Sequence, residues 1–106
     1  MDKDIQEIME IYNRLPPEDK RLFNDLVEAV YRMTGEDAQM IRQFMEATHG
    51  LPFDFERDVM RTVIAAADGE PAAWAIIRAT VLHAEIPPEE QEAVQKFTQL
   101  LQEARA

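Results

Sequence analysis

The sequence predicts an all-α fold: a compact bundle of about six short helices, with the helix over 71–85 at its centre. Three observations predict it. Leu15-Pro16-Pro17-Glu18 and Ile86-Pro87-Pro88-Glu89 each put proline where a helix tolerates it, in the first turn. The acids that follow favour the positive end of the helix dipole. Only three glycines occur, Gly35, Gly50 and Gly69, each between periodic segments, where a helix ends or a turn forms. No stretch alternates apolar and polar residues with period two, so no strand is predicted.

These marks divide the chain into helical segments over 3–14, 17–33, 36–48, 54–67, 71–85 and 88–104, with the short connections of packed neighbours. The first carries Ile5, Ile8, Met9, Tyr12 and Leu15 on one face, with Ile11 at a second edge. The second spreads Leu22, Phe23, Leu26, Val27, Val30 and Tyr31 over a broad arc, which predicts contact with more than one neighbour. In the third, Ile41, Phe44 and Met45 mark the inner face and leave Met40 toward an edge. The fourth reads as capped by Asp54, with Phe53 before it as half of a hydrophobic staple. The fifth is apolar almost all round, from Ala72 to Ala84, with Arg78 and Glu85 on one narrow polar stripe; this is the expected central helix. The sixth places Ala93, Val94, Phe97, Leu100, Leu101 and Ala104 on a single narrow face.

Sliding the two Pro-Pro sites together overlays Leu22, Phe23, Leu26, Ala29 and Val30 on Ala93, Val94, Phe97, Leu100 and Leu101. Any two amphipathic helices with proline starts align this well, so the repeat reads as punctuation rather than duplication.

At 106 residues, positions 1–106 form a single helical domain able to bury a core without staples. Cysteine is absent, which removes disulfides and thiolate zinc sites. The start, Met1-Asp2-Lys3-Asp4, lacks the apolar run of a signal peptide, and the longest apolar stretch, Ala72 to Ile77, is far short of a bilayer span. A soluble, cytoplasmic protein without membrane partners is expected.

The formal charge of −10 argues against nucleic-acid binding, which needs a basic footprint, and against anionic membranes. It favours a protein partner with a basic surface. Yet Glu18, Asp19, Glu36, Asp37, Asp54, Glu56, Glu70, Glu89 and Glu90 all fall at predicted helix starts. Much of the acidity therefore serves the helices themselves.

Candidate chemistry is thin. His83 falls opposite the Arg78/Glu85 stripe and is expected to be a buried core histidine bonded to a carbonyl. His49, before Gly50, suits a helix end. Asp54, Glu56 and Asp58 lie close behind His49, but their spacing turns Glu56 away from the other two, and no calcium-loop glycine accompanies them. No metal or cofactor is expected. Serine is absent and no threonine has an evident base beside it, so no enzyme is expected. Residues 22–46 have the spacing of a helix-turn-helix, the alternative reading as a transcription-regulator module. However, its second helix opens with Glu36-Asp37, which would face phosphates.

What remains is a non-enzymatic protein–protein interaction module, a small acidic regulator or inhibitor. Six methionines are many for this length. Met9, Met45 and Met60 read as core filling, whereas Met40, with Phe53 and Phe55, reads as an adaptable binding surface. Phe97, Leu100 and Leu101 lie near the chain end with little to cover them, which predicts a homodimer through the C-terminal helix.

Overall fold

Among the described residues, six helices form where proline, glycine and the apolar pattern place them: α1 (Lys3–Arg14), α2 (Pro17–Arg32), α3 (Gly35–Ala47), α4 (Phe53–Ala67), α5 (Pro71–Leu82) and α6 (Pro88–Arg105). The computed structural model describes residues 3–51 and 53–105, and the side chains within them except those at positions 4, 5, 8, 11, 53, 54 and 105. The expected apolar residues Ile5, Ile8 and Ile11 thus lie outside the described side chains. Among the described residues there is no strand.

The helix starts follow the sequence closely. Pro16 holds an extended conformation and Pro17 takes the first helical position of α2. The Pro16 carbonyl accepts from the backbone N–H groups of Asp19 and Lys20, both at 3.0 Å. At α6 the Pro87 carbonyl accepts from Glu90 N–H at 2.9 Å. Glu70 caps α5 through its own carboxylate, which accepts from Ala72 N–H at 3.3 Å. Helix α4 opens at Phe53, so Asp54 lies inside the first turn rather than at the cap. The side chains of the proposed staple lie outside the described residues.

One end differs. Helix α5 stops at Leu82, three residues short of the predicted 85, and His83 takes a left-handed conformation with φ 52°. Ala84 N–H then reaches back to the Ala79 carbonyl at 3.1 Å, the wrap that usually ends on glycine. The cause lies just downstream. Pro87 and Pro88 cannot donate to a continuing helix, and residues before proline are pushed out of the α region. The chain therefore unwinds early enough to redirect α6. Consequently His83 is exposed, not buried as the extended helix implied.

Helices α4 and α5 form the middle of the bundle. Helix α5 packs on α3, α4 and α6, and α4 packs on α2, α5 and, more lightly, α6. The central place expected of the 71–85 helix is borne out, and α4 shares it. Val63 and Ile77 meet there with Ile41 from α3; all three are essentially sealed from water, joined by Leu26, Phe44 and Met60. Burial of each such side chain contributes about 1.5–3 kcal/mol. A second, smaller cluster of Ala72, Ala75 and Val94 fastens α6 to α5, with Phe97 bridging it to the main core. Alanine on this side of α5 leaves room for a close helix approach.

The molecule is 23 Å across its thinnest direction, about two helix diameters. Among the described residues, the C-terminal end of α1 and the residue after it make contact with the start of α2. Leu15 is buried, and the Tyr12 ring lies 5.7 Å from that of Phe23 in a tilted pair. The Tyr12 hydroxyl accepts from Asn24 at 3.4 Å, and Lys20 Nζ stands 5.5 Å from the ring centroid.

Candidate interaction surface

Two features stand apart from the apolar core: a buried ion pair and an open groove. The pair joins α2 to α4. Asp19 is buried, and its Oδ2 accepts from Arg57 Nη2 at 2.9 Å. One helical turn further along α4, Arg61 Nη1 lies 3.8 Å from Asp58 Oδ1, and the Thr62 hydroxyl donates to the Asp58 carbonyl at 2.7 Å. The two carboxylates are buried and the two guanidinium groups are partly exposed. They fix how α2 lies along α4, since any slide would strand a charge away from water. Asp19 is thus more than a helix-dipole acid. The signal was the pair Arg57 and Arg61, four apart on a helix whose neighbouring residues Val59, Met60, Val63 and Ile64 are apolar.

The groove lies beside two apolar edges that keep exposed side chains. On α2, Leu26 is buried while Val27 and Tyr31 are exposed, Tyr31 by 89%. The broad arc that predicted several neighbours has α4 on one flank and leaves Val27 and Tyr31 open to solvent. On α3, Ile41 and Phe44 point inward as predicted, but the two methionines exchange roles. Met40 is half-buried against the main core, and Met45 is exposed. At about 100° per residue, Met40 and Met45 lie about 70° to either side of the line between Ile41 and Phe44. Met40 packs on the main core; the opposite edge carries Ala38, Arg42 and Met45 along a cavity. Met9, also expected as core filling, is exposed, whereas Met60 is buried.

That cavity measures about 900 Å³. Val30 and Tyr31 of α2 and Ala38, Ile41 and Met45 of α3 give it an apolar floor, and Glu7 of α1 and Glu46 of α3 stand on its walls. Met45 and His49 also border a smaller cavity of about 180 Å³, which continues toward Leu15, Phe23, Val59 and Met60. Met45 is therefore a ridge between two hollows. Its flexible thioether side chain suits a surface that adapts to what it touches.

Several acids lie by a base, Glu10 by Arg14, Asp68 by Arg32, Glu90 by Arg78 and Glu92 by Lys96, whereas others, such as Asp25, Glu28 and Glu85, have no ion-pair partner among the described residues. Among the described residues, Glu7 and Glu46 have no ion-pair partner, although Arg42 is one turn before Glu46 on the same helix. Glu46 is also in the last turn of α3, which carries no basic residue. A carboxylate there opposes the negative end of the helix dipole, an unfavourable placement of about 0.3–1 kcal/mol.

The residues predicted as an interface are dispersed. Met40 is half-buried, Phe55 at the start of α4 is 48% exposed, and the Phe53 side chain lies outside the described residues. Phe97 is half-buried and packs on both core clusters, so it is not the uncovered residue expected at the chain end. Leu101 is half-buried and Leu100 is 61% exposed. Neither Phe55 nor Leu100 borders the two cavities beside Met45. Sequence reasoning missed Tyr31, Met45, Glu7 and Glu46. The available signals were an apolar arc on α2 wider than one neighbour needs and an acid, Glu46, in the last turn of α3.

Helices α2 and α3 occupy the 22–46 segment, joined through Met33 and Thr34. The exposed first turn of α3 carries Glu36 and Asp37, an arrangement that repels phosphate. Among the described residues no three metal-ligating side chains converge, and no helix is long and apolar enough to cross a membrane. Comparison with protein-family models, curated proteins and solved structures finds no match.

Proposed function

We propose that this chain is a non-enzymatic interaction module, a small acidic regulator or inhibitor that binds a protein partner through the α1–α2–α3 groove. One observation carries the reading: α2 and α3 each place an exposed apolar side chain, Tyr31 and Met45, on the lining of the same open hollow. Exposed apolar surface of this kind is costly to keep unless something covers it. The hydroxyl chemistry also fits a binding role. Three of the threonines are occupied with helix carbonyls, Thr48 with Phe44, Thr62 with Asp58 and Thr80 with Ile76. The chain's acidity would slow encounters with nucleic acid and speed those with a basic protein.

A photo-crosslinking residue placed at Tyr31 tests this reading in cells of the natural host. A discrete cross-linked protein, absent when the same residue replaces the exposed Glu103 on α6, is the expected result. Identical cross-links from both positions, or none from either, would remove the proposal. Self-association through α6 is a further part of the reading, with Leu100 and the exposed part of Leu101 as the contact. Light scattering at rising concentration should show a dimer that Leu100→Ser dissolves; a strict monomer refutes it.

A further inference from the structure

We infer that the occupant of the α1–α2–α3 groove is an amphipathic helix with apolar anchors and flanking lysine or arginine, an assignment that rests on the interaction reading above. The backbone narrows the choice first. Among the described residues this protein has no strand, hence no sheet edge on which an extended peptide could add its hydrogen bonds. A groove between helices offers side-chain contacts only. A helix satisfies its own backbone groups and brings apolar side chains on one face at i, i+3, i+4 and i+7, which is what such a groove accepts.

The hollow has the size and lining for that. About 900 Å³ over Val30, Tyr31, Ala38, Ile41 and Met45 takes more than one large apolar side chain. Met45 divides it from the smaller hollow of about 180 Å³ beside Phe23 and Met60. Two anchors spaced one or two turns apart on an incoming helix would straddle that ridge. Tyr31, an exposed aromatic residue at the rim, is the kind of side chain that closes over such an anchor.

Charge selects the rest of the occupant. Glu7 of α1 and Glu46 of α3 both line the hollow, neither is at a helix start, and neither has an ion-pair partner among the described residues. Glu46 is in the last turn of α3, where a nearby cation would relieve the dipole. A lysine or arginine on each flank of the incoming helix would meet these two carboxylates. Arg42, which also borders the hollow, leaves the two glutamates in the majority. A second copy of this chain is a poor occupant, because it would bring its own charge of −10 to a negative rim.

The test is a selection from a displayed library of about 16-residue amphipathic helices, with apolar positions varied in size and outer positions open to Lys, Glu, Gln and Ala. Selection runs on the full chain, with Met45→Lys and the surface variant Glu46→Lys as counter-targets whose circular dichroism matches the parent. The expected winners carry large apolar residues at i and i+4 and a net positive charge. Their binding should weaken by at least about tenfold on Met45→Lys and on Glu46→Lys. Winners that are neutral or acidic, winners held equally by Met45→Lys, or no enrichment at all each overturn the assignment. The cross-link at Tyr31 is independent. A partner found there beside a failed selection would keep the interaction module and remove only the basic helix.

Discussion

The two edges of α3 are nearly equivalent in sequence and opposite in circumstance. Met40 and Met45 flank the same inward pair, Ile41 and Phe44, at similar angles, yet Met40 packs on the core and Met45, 37% exposed, borders two hollows. What separates them is the company α3 keeps. Helix α5 packs on α3; among the described residues, the hollow beside Met45 is bordered by the edge of α2 and by Glu7 of α1. An amphipathic pattern therefore says that a helix has a wet side and a dry side, but the extent of the dry side depends on how many neighbours arrive. In this bundle the α4–α5 side has its neighbours, and the α2–α3 side is one helix short.

The largest expected effect breaks the well-covered side. Ile77→Ala removes a branched side chain with no exposed surface, where α3, α4 and α5 meet. It should cost about 2–5 kcal/mol in urea unfolding, a large fraction of the total for a domain of this size. A smaller loss would mean that the centre can collapse around the gap.

Next comes the ion pair that orients α2. Asp19→Ala leaves the partly buried Arg57 guanidinium without its 2.9 Å acceptor. Because Arg57 keeps about a third of its surface in water, the expected loss is about 2 kcal/mol rather than the larger cost of a fully buried orphan. A double-mutant cycle with Arg57→Met should recover part of that loss. Strict additivity would show that the two side chains do not depend on each other.

The comparison itself is sharpened by Met40→Ala against Met45→Ala. The first should destabilise by about 1–3 kcal/mol and the second by less than about 1 kcal/mol, since only one of them empties packed space. Equal losses would mean that both edges are covered in solution. The smallest effect concerns the end of α5. His83→Gly should stabilise by about 0.5–1 kcal/mol, because glycine takes the left-handed conformation without steric cost. Thermal unfolding that falls instead would argue that the imidazole holds a contact of its own.

The fold was largely legible, and the reasons are local. Proline in a first turn, glycine after a last turn and apolar spacing act within a few residues, so six helices could be placed and most of their ends located. The failure at 83–85 came from extending an apolar run through residues that Pro87 and Pro88 had already committed to a turn. The candidate site was less legible, because coverage is a tertiary property. Val27, Tyr31 and Met45 carry the same apolar signature as Leu26, Val30 and Met40. Nothing within α2 or α3 says which flank another helix will occupy. Glu46 was more readable in principle: an acid in a last turn without a base beside it goes against the dipole, and such a misplacement points outward to something that compensates it.

Whether the α2–α3 face is open in the folded protein decides between these readings. Mild peroxide oxidation followed by mass spectrometry reports it residue by residue, because thioether oxidation follows access to solvent. Met45 should be oxidised early, alongside Met9, while Met40 and Met60 stay protected until the protein unfolds. Protection of Met45 to the level of Met60, with Met40 oxidised first, would contradict the open groove and the function built on it.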